Sequence, residues 1–154
     1  MNGMDFGGVV KSNESKSDVL NMNSSEEVFS IDTSQLMKNV LKKNGLFYAE
    51  MLVGNKPIVH TIIYFTLSNQ LRLSKPNYSV HLKEDSSGRP LVEISSDVLA
   101  KNVFISIPGK TIKFSDNYFD MLPGKKYLIW SPDGGLTNDD VNKMDVKSLI
   151  DTYQ

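Results

Sequence analysis

Residues 114–126, FSDNYFDMLPGKK, are the densest stretch of this 154-residue chain and decide how the rest is interpreted. They include three aromatic residues, two aspartates, an asparagine and a Pro-Gly pair. Two interpretations fit them. Either Asp116 and Asp120 form a catalytic carboxylate pair, or the stretch is a corner between two strands.

The carboxylate pair has the weaker support. A glycosidase uses two carboxyl groups, about 5.5 Å apart in retaining enzymes and farther apart in inverting ones. Its general acid needs a pKa raised by burial, in a cleft that holds a sugar. A corner of a small sandwich offers no evident cleft. We therefore favour a structural corner, in which polar side chains bond the turn, apolar ones fill the core and a Pro-Gly pair turns the chain. Its residues are Asp116 and Asn117, then Tyr118, Phe119 and Leu122, then Pro123 and Gly124.

The segments around this stretch alternate with a period of two, which is typical of β-strands. Gly- and Pro-containing turns such as DSSGRP and SPDGG separate them. Six short strands in about 80 residues favour an antiparallel β-sandwich. For the last segment a helix from Asn138 is an alternative, because Thr137 and Asp140 have capping-box spacing. The six expected strands cover residues 78–84, 90–96, 100–108, 111–116, 125–132 and 146–153.

The first part of the chain predicts a second, incomplete sandwich. Strands over 46–54 and 58–65 are joined by GNKP, which favours a hairpin. A helix is expected over 33–45, and weaker strands over 19–23 and 26–32. Such a sandwich usually has about seven strands, so we expect the early strands to be missing and the chain to begin inside a domain. The composition changes near residues 70–76, which predicts domains over 1–70 and 71–154.

Composition excludes several classes of function. The formal net charge is -1, without the basic surplus of a nucleic-acid binder. No apolar run reaches the roughly 18 residues of a membrane span. There is no cysteine, and His60 and His81 lack partners at ligand spacing, so we expect no metal or other cofactor. These observations leave the compartment open.

The residues FSDNYFDMLPGK resemble the S-D-N-[YF]-F-[DT]-L-L-P-G-E signature of the last immunoglobulin-like domain in family two glycoside hydrolases of the β-mannosidase type. Residues 99–109, 125–135 and 145–153 are similar to the neighbouring strands, and the last of these favours a strand over a helix at the chain's end. Residues 45–82 resemble the end of the penultimate sandwich and its run into the last one. Met121 and Lys125 depart from the pattern, at places where packing or surface charge would change.

The resemblance implies an immunoglobulin-like, noncatalytic C-terminal module. In such enzymes the catalytic glutamates lie in a (β/α)₈ barrel ahead of the two terminal sandwiches. A barrel needs roughly 250 residues, so no catalytic residue is carried over to this chain. The implied parent is a retaining exo-glycosidase that releases terminal β-linked mannose, with an exo-β-glucosaminidase as the alternative. The expected partner is the upstream barrel, and we expect the parent to be periplasmic or secreted.

Two other functions stay open. A carbohydrate-binding module would stack sugars on exposed aromatics, with Trp130 and Tyr127 as the candidates beside Tyr118 and Tyr153. Strand aromatics more often pack in the core, so we expect Trp130 to point inward. An adhesin-like module would bind through an exposed sheet edge. An incomplete first domain also predicts self-association through residues 1–70.

Overall fold

The computed structural model describes residues 1–19, 25, 27, 30, 32 and 43–153. The chain divides into two compact units, Met1–Asp5 with Val9–Arg72 and Phe6–Gly8 with Leu73–Gln154. The helix expected over 33–45 and the strands expected over 19–23 and 26–32 lie outside the described residues, apart from a few positions. No helix in the described ranges is long and apolar enough to cross a membrane.

The first unit contains a four-stranded antiparallel sheet with the strand order β2-β1-β3-β4. Its strands are β1 (Asn2–Asp5), β2 (Val10–Asn13), β3 (Gly45–Val53) and β4 (Lys56–Tyr64). The expected β3–β4 hairpin is present. Its turn has left-handed backbone at Gly54 and Asn55, with φ of 56° and 65°. Two successive left-handed residues match the twist of a hairpin, which explains the Gly-Asn pair at this position.

Burial in the first unit is concentrated at the base of the β3–β4 hairpin, where Leu46, Phe47 and Tyr48 are buried. Gly3 on β1 allows Phe47 to lie against it. A Cβ atom at position 3 would be 2.7 Å from the Phe47 ring and 2.4 Å from Ser12 Oγ, closer than packed atoms approach. Towards the tip of the hairpin the apolar side chains become exposed on both faces of the sheet.

The second unit is a sandwich of two three-stranded antiparallel sheets, with the orders β5-β6-β9 and β10-β7-β8. The strands alternate inward and outward side chains, and the inward ones meet in the core. One buried cluster contains Ile94, Ala100, Val103, Ile105, Met121 and Ile129, and a second contains Val92, Ile107 and Leu136. The strands are β5 (Tyr78–Glu84), β6 (Pro90–Ser96), β7 (Ala100–Ser106), β8 (Phe119–Met121), β9 (Tyr127–Trp130) and β10 (Asp145–Lys147).

The strand expected over residues 111–116 is wrong. These residues form no regular strand, and β8 lies instead inside the stretch expected to be a corner. The period-two pattern is present because Ile112 and Phe114 do pack against the core. The regular backbone hydrogen bonds of a strand are missing, because the chain passes from one sheet to the other at this point.

The closing segment combines the two structures that the sequence left as alternatives. A short helix, α1, covers Asn138–Asn142, and β10 follows it. A 3-10 helix over Leu149–Thr152 then takes the place of most of the strand expected over 146–153. The capping-box spacing therefore identified a real helix start, while the strand signal applied to three residues only.

Candidate functional site

The stretch that the sequence singled out begins on the sheet β5-β6-β9. Ser115 N–H donates to the Trp130 carbonyl at 2.7 Å, and Trp130 N–H donates to Ser115 Oγ at 3.1 Å. Ser115 thereby pairs with the end of β9 as a single strand residue would. The following residues bond the other sheet, so we call residues 115–121 the crossing segment.

Asn117 attaches the crossing segment to β7 through its side chain. Its Oδ1 accepts from Ile105 N–H at 2.7 Å, and its Nδ2 donates to the Ile105 carbonyl at 3.1 Å. The carboxamide thus bonds the strand as a backbone peptide group would. Tyr118 N–H continues the pairing by donating to the Val103 carbonyl at 2.6 Å. The Asp116 carboxylate accepts from Asn117 N–H at 2.8 Å, within the segment itself.

Asp120 bonds a different part of β7. Its carboxylate accepts from Asn102 N–H at 2.8 Å and from Lys101 Nζ at 3.3 Å. Asn102 has a left-handed backbone, φ 51°, at an irregularity in the β7–β8 register. Asp116 and Asp120 therefore accept bonds from different partners, and both hold the crossing segment in place. Within the described residues no group of three or more His, Cys, Asp or Glu could hold a metal ion.

The expectation that Tyr118 fills the core is wrong, because its side chain is 69% exposed. The backbone at Tyr118 is left-handed, with φ 60°, and its ring lies on the outer surface against Phe104, with ring centroids 5.1 Å apart. The next residue, Phe119, packs against the core cluster, and Leu122 is buried. The left-handed backbone at Tyr118 therefore directs its ring outward, while the side chains of Phe119 and Leu122 point inward.

The Pro-Gly pair forms a tight turn after β8. Lys125 N–H donates to the Leu122 carbonyl at 3.2 Å, and Gly124 has φ 70°. This arrangement, with proline second and glycine third, is the one that a type II turn requires. Gly124 N–H also donates to the Ser96 carbonyl at 2.8 Å, which ties the turn to the end of β6.

Trp130 does not point inward as expected; its side chain is 39% exposed. On β9 the inward positions are Tyr127 and Ile129, so Leu128 and Trp130 face outward. The Arg89 guanidinium lies 5.2 Å from the centroid of the Trp130 ring, within range of a cation–π interaction.

Sequence reasoning did not identify Arg89 or its neighbour Asp85 as part of this surface. Arg89 Nε and Nη2 each lie 2.9 Å from Asp85 Oδ2, so the guanidinium is held in place over the ring. The Ser87 hydroxyl, the backbone amides of Ser87 and Arg89 and the Arg89 side chain hold the pKa of Asp85 below its usual range. The spacing of Asp85, Ser87 and Arg89 in the turn DSSGRP was the available signal.

Tyr127, the second candidate for stacking, packs against the core cluster. Its ring centroid is 5.5 Å from that of Phe119, and its hydroxyl accepts from Leu122 N–H at 2.9 Å. Burial raises the pKa of Tyr127. The outer surface therefore presents Trp130, with Tyr118 and Tyr153 elsewhere, as exposed aromatic side chains.

Comparison with known proteins identifies the family of the second unit. The model of the Ig-fold domain of mannosidases matches residues 73–152. A crystal structure of a β-D-mannosidase from Dictyoglomus thermophilum resembles 73% of this chain, with a TM-score of 0.57 and 21% identity, and the match covers 14% of that chain. No curated protein matches. The expected immunoglobulin-like sandwich and the resemblance to mannosidase domains are confirmed.

Proposed function

The chain belongs to the family of mannosidase Ig-fold domains, and from this premise we propose that it is a noncatalytic C-terminal module of a β-mannosidase-like glycoside hydrolase. The proposed parent hydrolyses terminal β-linked mannose. The module's partner is then the catalytic barrel of that parent. The similar mannosidase is much longer than the part matched here, which supports a module within a larger chain.

The proposed noncatalytic role rests on one observation: the carboxylates of the crossing segment accept hydrogen bonds from neighbouring residues of the same domain. Asp120 accepts from Asn102 and Lys101, and Asp116 accepts from Asn117. A glycosidase instead directs two carboxyl groups at one sugar from opposite sides. The polar groups of the signature thus have structural partners, which supports a role in holding two sheets together.

The test is an assay of the purified chain with aryl β-mannosides and aryl β-glucosaminides. We expect no turnover above the uncatalysed rate, and no change in the Asp116→Asn, Asp120→Asn double variant. Turnover at an enzymatic rate that the double variant abolishes would contradict the noncatalytic role. For the parent, the same two substrates given to the full-length enzyme distinguish a mannosidase from a glucosaminidase.

A carbohydrate-binding module is the second candidate, because Trp130 and Leu128 are exposed side by side on β9. Arg89 lies over the tryptophan ring, so a sugar would stack on the opposite face or displace the guanidinium. Trp130 is the chain's one tryptophan, so its fluorescence reports this surface directly. Saturable change on titration with manno-oligosaccharides, absent with cello-oligosaccharides, would favour this candidate. No change in either titration is the result expected for the accessory module.

A further inference from the structure

The segment Phe6–Gly8 belongs to the second unit, although the residues on both sides of it belong to the first. Phe6 is only 7% exposed, and its carbonyl accepts from Leu99 N–H at 2.8 Å. Leu99 is itself buried in the turn between β6 and β7. A segment of three residues thus supplies a buried aromatic side chain and a backbone hydrogen bond to a unit whose other residues start at Leu73.

The third residue of this segment has to be glycine. Gly8 has φ 85°, a left-handed conformation that residues with a side chain rarely adopt. A Cβ atom at this position would also lie 2.9 Å from Pro123 Cβ, closer than packed atoms approach. Because Pro123 belongs to the Pro-Gly turn after β8, this turn packs directly against the backbone of Gly8.

The two turns that contact the segment are bonded to each other. Gly124 N–H donates to the Ser96 carbonyl at 2.8 Å, which joins the Pro-Gly turn to the end of β6. The Ser96 hydroxyl, in a side chain that is itself buried, donates to the Val98 carbonyl at 2.8 Å. These bonds fix the positions of the two turns, and we call Ser96–Leu99 and Pro123–Gly124 the receiving site.

The segment is held as a closed loop by bonds between the residues that flank it. Asp5 N–H donates to the Val9 carbonyl at 3.1 Å, and Val9 N–H donates to the Asp5 carboxylate at 2.9 Å. The Lys11 ammonium pairs with the same carboxylate at 3.4 Å. These three residues all belong to the first unit, so the ends of the loop are fixed by residues outside the receiving site. A ligand that is already held in its bound shape loses less conformational entropy on binding.

From this packing we propose that the second unit carries a peptide-binding site and that Phe6–Gly8 is the ligand that occupies it within the same chain. The class of ligand is a short peptide loop that contains phenylalanine and, two residues later, glycine. The phenylalanine ring is the apolar anchor, its carbonyl accepts the Leu99 bond, and the glycine permits the close approach of Pro123. These contacts all lie within the second unit, and the proposal does not depend on the enzyme proposed as the parent.

A cut between ligand and site turns this packing into a binding reaction that can be measured. A recognition sequence for a site-specific protease, inserted after the exposed Ser74 of the full chain, gives fragments 1–74 and 75–154. We expect the two fragments to stay associated after the cut and to elute together in gel filtration at micromolar concentration. Isothermal titration of separated and recombined fragments then gives their dissociation constant.

Variants of the ligand test whether Phe6–Gly8 is responsible for the association. We expect Phe6→Ala and Gly8→Ala each to raise the dissociation constant of the fragments roughly tenfold or more, because one removes the anchor and the other introduces a clash. Val9→Ala changes an exposed side chain beside the segment and should leave the constant unchanged. Far-UV circular dichroism of the uncut variants checks that they fold.

A peptide of residues 2–13, cyclised through its ends, tests the site with a ligand from outside the chain. We expect it to compete with fragment 1–74 for fragment 75–154, and the same peptide with Gly8→Ala to compete at least roughly tenfold less well. Native fragments that separate at every concentration would overturn the proposal. Equal dissociation constants for the native and Phe6→Ala fragments, or equal competition by the two peptides, would also contradict it.

Discussion

The side chain of Asn117 bonds both backbone groups of Ile105, which is itself buried. A carboxamide has one donor and one acceptor side, so it can replace a peptide group where the chain's own backbone turns away. An aspartate would keep the acceptor and lose the donor. This explains the asparagine at position 117, because its amide side chain both donates to and accepts from the backbone of Ile105.

We expect Asn117→Ala to lower the free energy of unfolding by roughly 2–4 kcal/mol, because two buried backbone groups lose their partner. Urea denaturation followed by Trp130 fluorescence measures this. Asp116→Ala, which removes one bond in an exposed part of the same segment, is the control and should change stability by about 0.5 kcal/mol or less. Similar losses in the two variants would contradict the role assigned to Asn117.

Tyr118 combines a left-handed backbone with an exposed ring. Asparagine tolerates this backbone, whereas a β-branched residue does not. Both substitutions lose the contact with Phe104, so that loss cancels in a comparison between them. We expect Tyr118→Val to be less stable than Tyr118→Asn by about 1 kcal/mol in thermal unfolding. Equal stability would show that the backbone at this position changes in the variants.

From the residue types alone we expected a structural corner around Asn117, but these types could not predict which side chains point inward. The core position of Leu122 follows from its apolar character. Tyr118 and Trp130 were expected inward for the same reason and are exposed. Their direction depends on a left-handed residue and on the register of β9, and neither leaves a signal in a single sequence.

At the scale of elements, helix α1 is held at its start by a reciprocal cap. Thr137 Oγ1 accepts from Asp140 N–H at 3.2 Å, while the Asp140 carboxylate accepts from the Thr137 backbone amide at 3.1 Å and from its hydroxyl at 2.8 Å. Asp140 also forms an ion pair with Lys110, although its side chain is only 1% exposed. This buried carboxylate joins the helix to the loop after β7.

This ion pair predicts acid sensitivity. Lys110, and then Thr137, hold the pKa of Asp140 below its usual value. A carboxyl group with a lowered folded-state pKa contributes its stability above the unfolded value of about 3.9 and loses it as the pH falls through the folded value. We therefore expect Asp140→Asn to be less stable than the native chain at pH 7, with a smaller further loss between pH 5 and pH 2.

Chemical denaturation at a series of pH values measures this difference. Asp139→Asn is the matched control, because Asp139 lies on the same helix and pairs with Lys143 at the exposed surface. Exposed pairs contribute little, so its pH profile should follow that of the native chain. If Asp140→Asn lowered the free energy of unfolding by the same amount at every pH, the stabilisation could not be assigned to the ionised Asp140 carboxylate.

Most elements with regular alternation could be predicted from the sequence, with residues 111–116 as the exception, and those that depend on long-range pairing could not. Strands β5, β6, β7 and β9 lie where their patterns placed them. Strand β8 was missed because its three residues pair with β7 across an irregular register. The ion pair between Lys110 and Asp140 of α1 could not be predicted, because the two residues are far apart in the sequence.

On the scale of the whole molecule, the second unit includes Phe6–Gly8 from the start of the chain. Phe6 is buried, and its carbonyl accepts from Leu99 N–H at 2.8 Å. Gly8 has φ 85°, and a Cβ atom there would lie 2.9 Å from Pro123 Cβ. Phe6–Gly8 thus pack in the second unit, although they come before Val9–Arg72 of the first unit in the sequence.

We expect Phe6→Ala to destabilise the second unit by about 3 kcal/mol, as for other buried phenylalanines truncated to alanine. Trp130 lies in that unit, so its fluorescence during urea unfolding measures the effect. Val9→Ala, at an exposed position three residues later, should leave the midpoint almost unchanged. Equal midpoints for the two variants would argue that Phe6 is not part of the second unit's core.

The place of Phe6–Gly8 also sets an order of events during synthesis on the ribosome. These residues are translated before their partners, since Leu99 follows Phe6 by about ninety residues and Pro123 follows Gly8 by about 115. At roughly 5–20 residues per second, Phe6 waits on the order of 5–20 s for Leu99 to be made. During that interval the hydrogen bond between the Phe6 carbonyl and the Leu99 amide cannot form. A chaperone that recognises exposed apolar segments would meet the nascent chain at this point.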